Sequence, residues 1–201
     1  MHGQLVVGAA ATAAVVLGAP ALGQTGGAFF EVSNDLSPAT PSATVTLWVP
    51  VPDGLYAVAG VAFDAFADPA SSAALDARWS DPMRASGFDA PGTSDGVVTP
   101  DGLAVLGALS GQLNFPAAGV FADPSDPIAV WSATISVDEF TPRGVDLRTD
   151  ITRSTFYVSE FSGSSVDRII GEARATVVVV PAPGVGALLV LAAGLGGVRR
   201  R

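Results

Sequence analysis

The sequence contains no cysteine and no lysine, and its single histidine is His2. Without cysteine there are no disulfides, no thiol catalysis and no thiolate-ligated metal. Without lysine there is no Schiff-base chemistry. With the only imidazole at the second residue, in a segment read below as a removed leader, Ser-His-Asp triads, Cys-His pairs and histidine metal sites are excluded from the remainder. No phosphate-cradling or dinucleotide glycine fingerprint is present; the glycines sit in turns. Long helical periods and internal repeats are also missing. Charge is scarce: 14% of residues are charged and 49% are apolar, too hydrophobic a balance for a disordered chain. The ten basic residues are all arginine, against 19 acids, for a net charge of -9. Every acid lies between Glu31 and Glu172, while three arginines close the chain, so the middle is more acidic than the whole. Such a surface repels phosphate backbones and excludes nucleic acid as a partner.

Both ends are built differently from the middle. Residues 5–17 form an apolar run of small residues, broken by Gly18, Ala19 and Pro20. Ala21-Leu22-Gly23 follows, a small-x-small cleavage pattern ahead of Gln24. This predicts a secretory signal peptide over 1–23, against the alternative of a buried N-terminal helix. At the other end, residues 184–198 are apolar throughout and are followed by Arg199, Arg200 and Arg201. The run is shorter than the ~20 residues a straight helix needs to cross a bilayer. The valines before it cannot extend it, because Pro181 and Pro183 interrupt the helix. A transmembrane segment over 184–198, with the arginines held on the cytoplasmic side, would place the middle of the chain outside the membrane.

Pro181-Ala182-Pro183, the apolar segment and the arginine cluster, in that order, resemble a PEP-CTERM sorting signal; Ala182 stands where that motif carries Glu. The resemblance covers residues 180–201. It implies export, a membrane-anchored precursor, processing by an exosortase-like enzyme, and a final place at the cell surface or outside the cell. It also implies a setting in bacteria that make exopolysaccharide. The residues alone leave open an ordinary single-span anchor. The middle of the chain also looks like the domains that precede such tails, which adds to the fold expectation and little to function.

Residues 24–179 are long enough for one sizeable core. Short β-branched and aromatic runs alternate with Pro, Gly, Asp and Ser, which predicts many strands and no crossover helices. "ATVTLWVPV" alternates cleanly, with Val45, Leu47 and Val49 on one face and Thr44, Thr46 and Trp48 on the other. "DPIAVWSATISVDEF" places Ala129, Trp131, Ala133, Ile135 and Val137 on one face, so Trp131 belongs to the core. From Asp68 to about Gly102, turn residues predict a long loop carrying Trp79, with one short helix over "SSAALDARW". The expected fold is all-β: an antiparallel sandwich of jelly-roll or cohesin-like arrangement.

Three chemistries survive the exclusions. A glycosidase needs only two carboxyl groups flanking a bond, and Asp64, Asp138, Glu139 and Glu160 are candidates. Asp138 and Glu139 are adjacent, however, and in a strand would face opposite ways. No cofactor is called for. Asp-rich turns in "TSDGVVTPDG" and "ADPSDPI" leave room for structural calcium, although neither has EF-hand spacing and Asp in a turn more often caps its own backbone. Polysaccharide binding is the third, through Trp48 on the Thr44–Thr46 face and Trp79 in the loop; the alternative for Trp48 is cover by a neighbouring segment. The expectation is an exported, non-enzymatic surface or matrix protein. A carbohydrate-binding or adhesive module is the first alternative and a carboxylate-pair glycosidase the second.

Overall fold

A computed structural model of the chain describes residues 27–51, 57–68, 76–112, 127–150, 155–158, 165–168 and 172–181. The predicted signal helix and the predicted 184–198 helix lie outside these residues. Among the described residues there are strands and turns and no helix.

Eleven strands run in chain order among the described residues: β1 (Phe29–Val32), β2 (Ser42–Val49), β3 (Ala57–Asp68), β4 (Arg78–Arg84), β5 (Val97–Val98), β6 (Ala104–Gly111), β7 (Ile128–Ser136), β8 (Arg143–Thr149), β9 (Thr155–Val158), β10 (Ser165–Arg168) and β11 (Arg174–Val179). They form two antiparallel sheets. The four-stranded sheet has the order β1-β2-β7-β4. The seven-stranded sheet has β10-β9-β3-β6-β5, with β8 pairing both β3 and β11. One edge of β3 is held by β6. The other is shared between β9, along Ala57–Val61, and β8, along Ala65–Asp68.

The core is the space between the sheets, filled by alternate residues of facing strands. Val45, Leu47 and Val49 of β2 point inward and are buried, as their period-two spacing predicts. Val58, Phe63, Val105, Val145, Leu147 and Val177 meet them from the other sheet. A line of aromatic rings crosses this interior: Phe30, Trp79, Trp131 and Phe63 stand 6.4, 6.0 and 5.3 Å apart in succession.

β7 departs from the simple alternation. Leu47 pairs with Trp131 but Trp48 pairs with Ala129, so Val130 is an extra residue in the ladder. This bulge lets Val130 and Trp131 both turn inward and leaves Ala129 only half-buried, off the core face the spacing assigned to it. The stretch from Asp68 to Gly102 is likewise more than a loop. Arg78 and Trp79 begin a strand, so the expected helix does not reach them, and Trp79 is 2% exposed in the core. Its sequence disguises it: β4 is an edge strand with a bulge at Asp81–Pro82, where a proline costs no ladder hydrogen bond.

Each lateral opening of the sandwich is tied. On one side Leu36 N–H donates to Val178 O at 2.9 Å and Val180 N–H to Leu36 O at 2.8 Å. On the other, Trp79 N–H donates to Gly102 O at 2.8 Å. Gly102 has φ +74°, and a Cβ built there would lie 2.4 Å from Arg78 Cδ. Gly102→Ala therefore combines left-handed strain with a clash and should cost about 2 kcal/mol. A lowered urea midpoint will register it, and an unchanged midpoint would mean the turn can refold around the methyl.

Candidate functional site

The candidate surface is the outer face of the four-stranded sheet, because it presents the one tryptophan that the core does not consume. Trp48 is half-buried on β2, whereas Trp79 and Trp131 are buried between the sheets. Trp79 is thus removed as a surface contact, since its ring is packed among Phe30 and Trp131. Trp48 Nε1 donates to Glu31 Oε2 on β1 at 2.8 Å. Its cross-strand neighbours are Phe29 on β1 and Ala129 on β7. Further along β2 the same face carries Thr46, Thr44 and Ser42, beside Ser132, Thr134 and Ser136 of β7.

The candidate acids are scattered. Asp64 projects from β3, where its Oδ1 accepts Gly107 N–H at 2.6 Å. Asp138 and Glu139 follow β7 in a loop and not in a strand, so the opposite-faces expectation does not apply to them. Their backbone N–H groups donate to Asp76 Oδ2 at 3.1 and 2.7 Å. Glu160 lies outside the described residues.

Asp76 is the carboxylate that sequence reading missed. It ion-pairs with Arg143, whose side chain is 9% exposed and whose Nη1 also donates to Glu139 O at 2.8 Å and Thr141 O at 3.2 Å. Burial pushes the Asp76 carboxyl up, but the Glu139 N–H and the Arg143 guanidinium together outweigh it and hold the group below its ordinary value. Nothing in the spacing of residues 76 and 143 announces this pair.

The turn motif "TSDGVVTPDG" uses its acids locally. Asp95 is held low by hydrogen bonds from the Arg84 side chain and then its N–H, with its ion pair to Arg84 Nε at 2.6 Å. Asp101 accepts the Thr99 hydroxyl at 2.6 Å and Leu103 N–H at 3.1 Å, and these hold it low as well. Among the described residues no three His, Cys, Asp or Glu side chains gather in a group that could hold a metal ion. "ADPSDPI" lies almost wholly outside them. A shallow depression of about 240 Å³ beside the Arg84–Asp95 pair is lined by Met83, Arg84, Ala85, Ser86, Gly87 and Asp89.

Of the predicted sorting and cleavage residues, Pro181 is described: it is exposed and follows β11 after one residue. Ala182, Pro183, Arg199, Arg200 and Arg201, and Ala21, Gly23 and Gln24, lie outside the described residues.

No known family profile matches the chain, and no curated protein sequence matches it. Among solved structures, the fold is similar to a cohesin module of a family 33 glycoside hydrolase from Clostridium perfringens. That match has 10% identity and a TM-score of 0.50, and covers 78% of this chain and 98% of that one. A type I cohesin–dockerin complex from Clostridium thermocellum also matches, with 10% identity, a TM-score of 0.42, and coverage of 74% of this chain and 96% of that one. At this identity the likeness to the first is one of fold: the domain is an all-β sandwich of cohesin-like architecture.

Proposed function

We propose that the chain is an exported, non-enzymatic adhesive module of the cell surface or extracellular matrix. Its tail, which resembles a PEP-CTERM signal, would hold a precursor at the membrane until an exosortase-like enzyme acts near Pro181-Ala182-Pro183. The observation that carries the adhesive reading is the cohesin-like sandwich itself, whose sheets offer broad outer faces. The acids the structure describes in ion pairs and turns, Asp76, Asp95 and Asp101, are engaged by Arg143, Arg84 and Thr99 within the fold.

A protein ligand is the second reading. Val97 and Leu106, paired across β5 and β6, are 71% and 42% exposed, an apolar spot on the seven-stranded sheet.

The test is made on the full chain from its own host. The protein should be retained on host cell-surface material, release no reducing ends from it, and show by mass spectrometry a C-terminus near residues 181–183. Release of reducing ends would establish catalysis. An intact Arg201 in the membrane fraction would replace sorting by a permanent anchor. Failure of retention would remove the adhesive reading.

A further inference from the structure

Resting on the adhesive reading, we propose that the outer face of the four-stranded sheet binds a neutral polysaccharide chain, with Trp48 as its stacking platform. The indole is half-buried on the outer face of β2 and is tethered there. Its N–H is spent on Glu31 Oε2, which sets the ring's orientation against the sheet. Beside it on β7 stands Ala129, whose methyl adds no bulk next to the ring.

From Trp48 the pleat lays down Thr46, Thr44 and Ser42 at intervals of about 6.8 Å, a row of about 20 Å in all. A second row, Ser132, Thr134 and Ser136, runs alongside at about 5 Å. The hydroxyls of Thr44, Thr46, Ser132 and Thr134 make no hydrogen bond among the described residues. They are donors and acceptors left for a ligand or for water.

Charge selects the ligand. No outward position of β2 or β7 carries an acidic or basic side chain; Glu31 on β1 and Arg78 and Asp81 on β4 mark the rims. With Glu31 beside the platform and a net charge of -9, a polyanion is repelled. A ligand must then offer an apolar ring face to the indole and neutral hydroxyls to the rows. Pyranose rings do both, and a strip of this length spans a chain of them and not a single sugar.

The strip is also placed to be displayed. β11 ends at Val179 beside Leu36 and Arg143, the end of the sandwich where Ser42 and Ser136 lie. Trp48 is at the opposite end of β2 from Ser42.

The experiment is affinity electrophoresis of the full chain in native gels. The gels contain hydroxyethylcellulose, the neutral fraction of the host exopolysaccharide, or polygalacturonate as the acidic control. Retardation is expected in at least one neutral gel and not in the acidic one. Trp48→Ala should weaken it about tenfold, the scale of one lost aromatic contact. Trp48→Phe should recover part of the loss, and the Thr46→Val, Thr134→Val double variant should weaken binding severalfold with an unchanged urea midpoint. Retardation that survives both Trp48→Ala and the double variant would put the site elsewhere and leave the adhesive reading standing. Retention on host cells without retardation in either neutral gel would overturn the polysaccharide site in favour of a protein ligand. Retardation by polygalacturonate alone would overturn the charge argument and the proposal with it.

Discussion

Trp131→Ala will cost about 3–5 kcal/mol of folding stability, the range for removing a large buried aromatic. That is a large part of the ~5–15 kcal/mol that holds a typical domain together. The Trp131 ring is fully buried and meets Phe63 of the opposite sheet edge-on, at 5.3 Å and 87°. It lies 6.0 Å from Trp79 of its own sheet. It therefore joins two strands of one sheet to the other sheet, and the bulge at Val130 is what turns it inward. The indole N–H also donates to Asp95 O at 2.9 Å, so the ring pins the segment before β5. Trp131→Phe keeps most of the apolar area but strands that carbonyl; it should cost about 1–2 kcal/mol. Urea unfolding followed by far-UV circular dichroism measures both. Trp48→Ala is the internal comparison, because Trp48 lies on the outer face. If Trp131→Ala shifts the midpoint no further than Trp48→Ala does, the aromatic line is not the centre of the core.

The legible parts of this fold are those where hydrophobic period and burial coincide. Val45, Leu47 and Val49 alternate with Thr44, Thr46 and Trp48 in the sequence, and the structure buries the first set and turns the second outward. Trp131 is read correctly as core from its apolar companions. Ala129 is not, because one extra residue in a ladder shifts the face of everything beyond it, and no local signal marks where that residue is inserted. β4 fails for a different reason. "RWSDPMR" has the composition of a turn, and only its position at a sheet edge makes it a strand. Trp79 goes with it into the core, where composition alone puts it in a loop.

The candidate surface divides in the same way. Trp48 could be singled out from alternation alone. Its hydrogen bond to Glu31 needs the β1–β2 register, in which Phe29 stands opposite Trp48 and Glu31 opposite Thr46. The hydroxyl rows need the β2–β7 register, set between residues about ninety positions apart. Asp76 and Arg143 are a contact of tertiary structure only, 67 residues apart in the chain.

That pair carries the second large effect. Asp76→Ala should cost about 3 kcal/mol at pH 7, because it leaves the covered Arg143 guanidinium without its counter-charge, while the exposed N–H groups of Asp138 and Glu139 exchange its carboxylate for water. Asp76→Asn keeps an acceptor oxygen but not the charge, and should lose less. The pH dependence separates the two contributions. Burial acts to raise the Asp76 pKa, but hydrogen bonds from Glu139 N–H and Arg143, with the arginine's charge, bring it below the unfolded value of 3.8. A carboxylate depressed on folding stabilises fully above its unfolded pKa, and that contribution disappears as the pH falls through the folded value. The wild-type advantage over Asp76→Asn is therefore full at neutral pH and shrinks below about pH 4. Asp95, held low by Arg84, responds in the same direction, but it remains in both proteins and cancels from the difference. Urea midpoints of the two proteins at pH 7 and pH 3 measure the gap. A gap of equal size at both pH values would mean that the carboxylate acts through shape and hydrogen bonding alone. A gap that closes in acid assigns to one ion pair the fastening of β4, β8 and the loop between β7 and β8, at the end of the sandwich from which the tail departs.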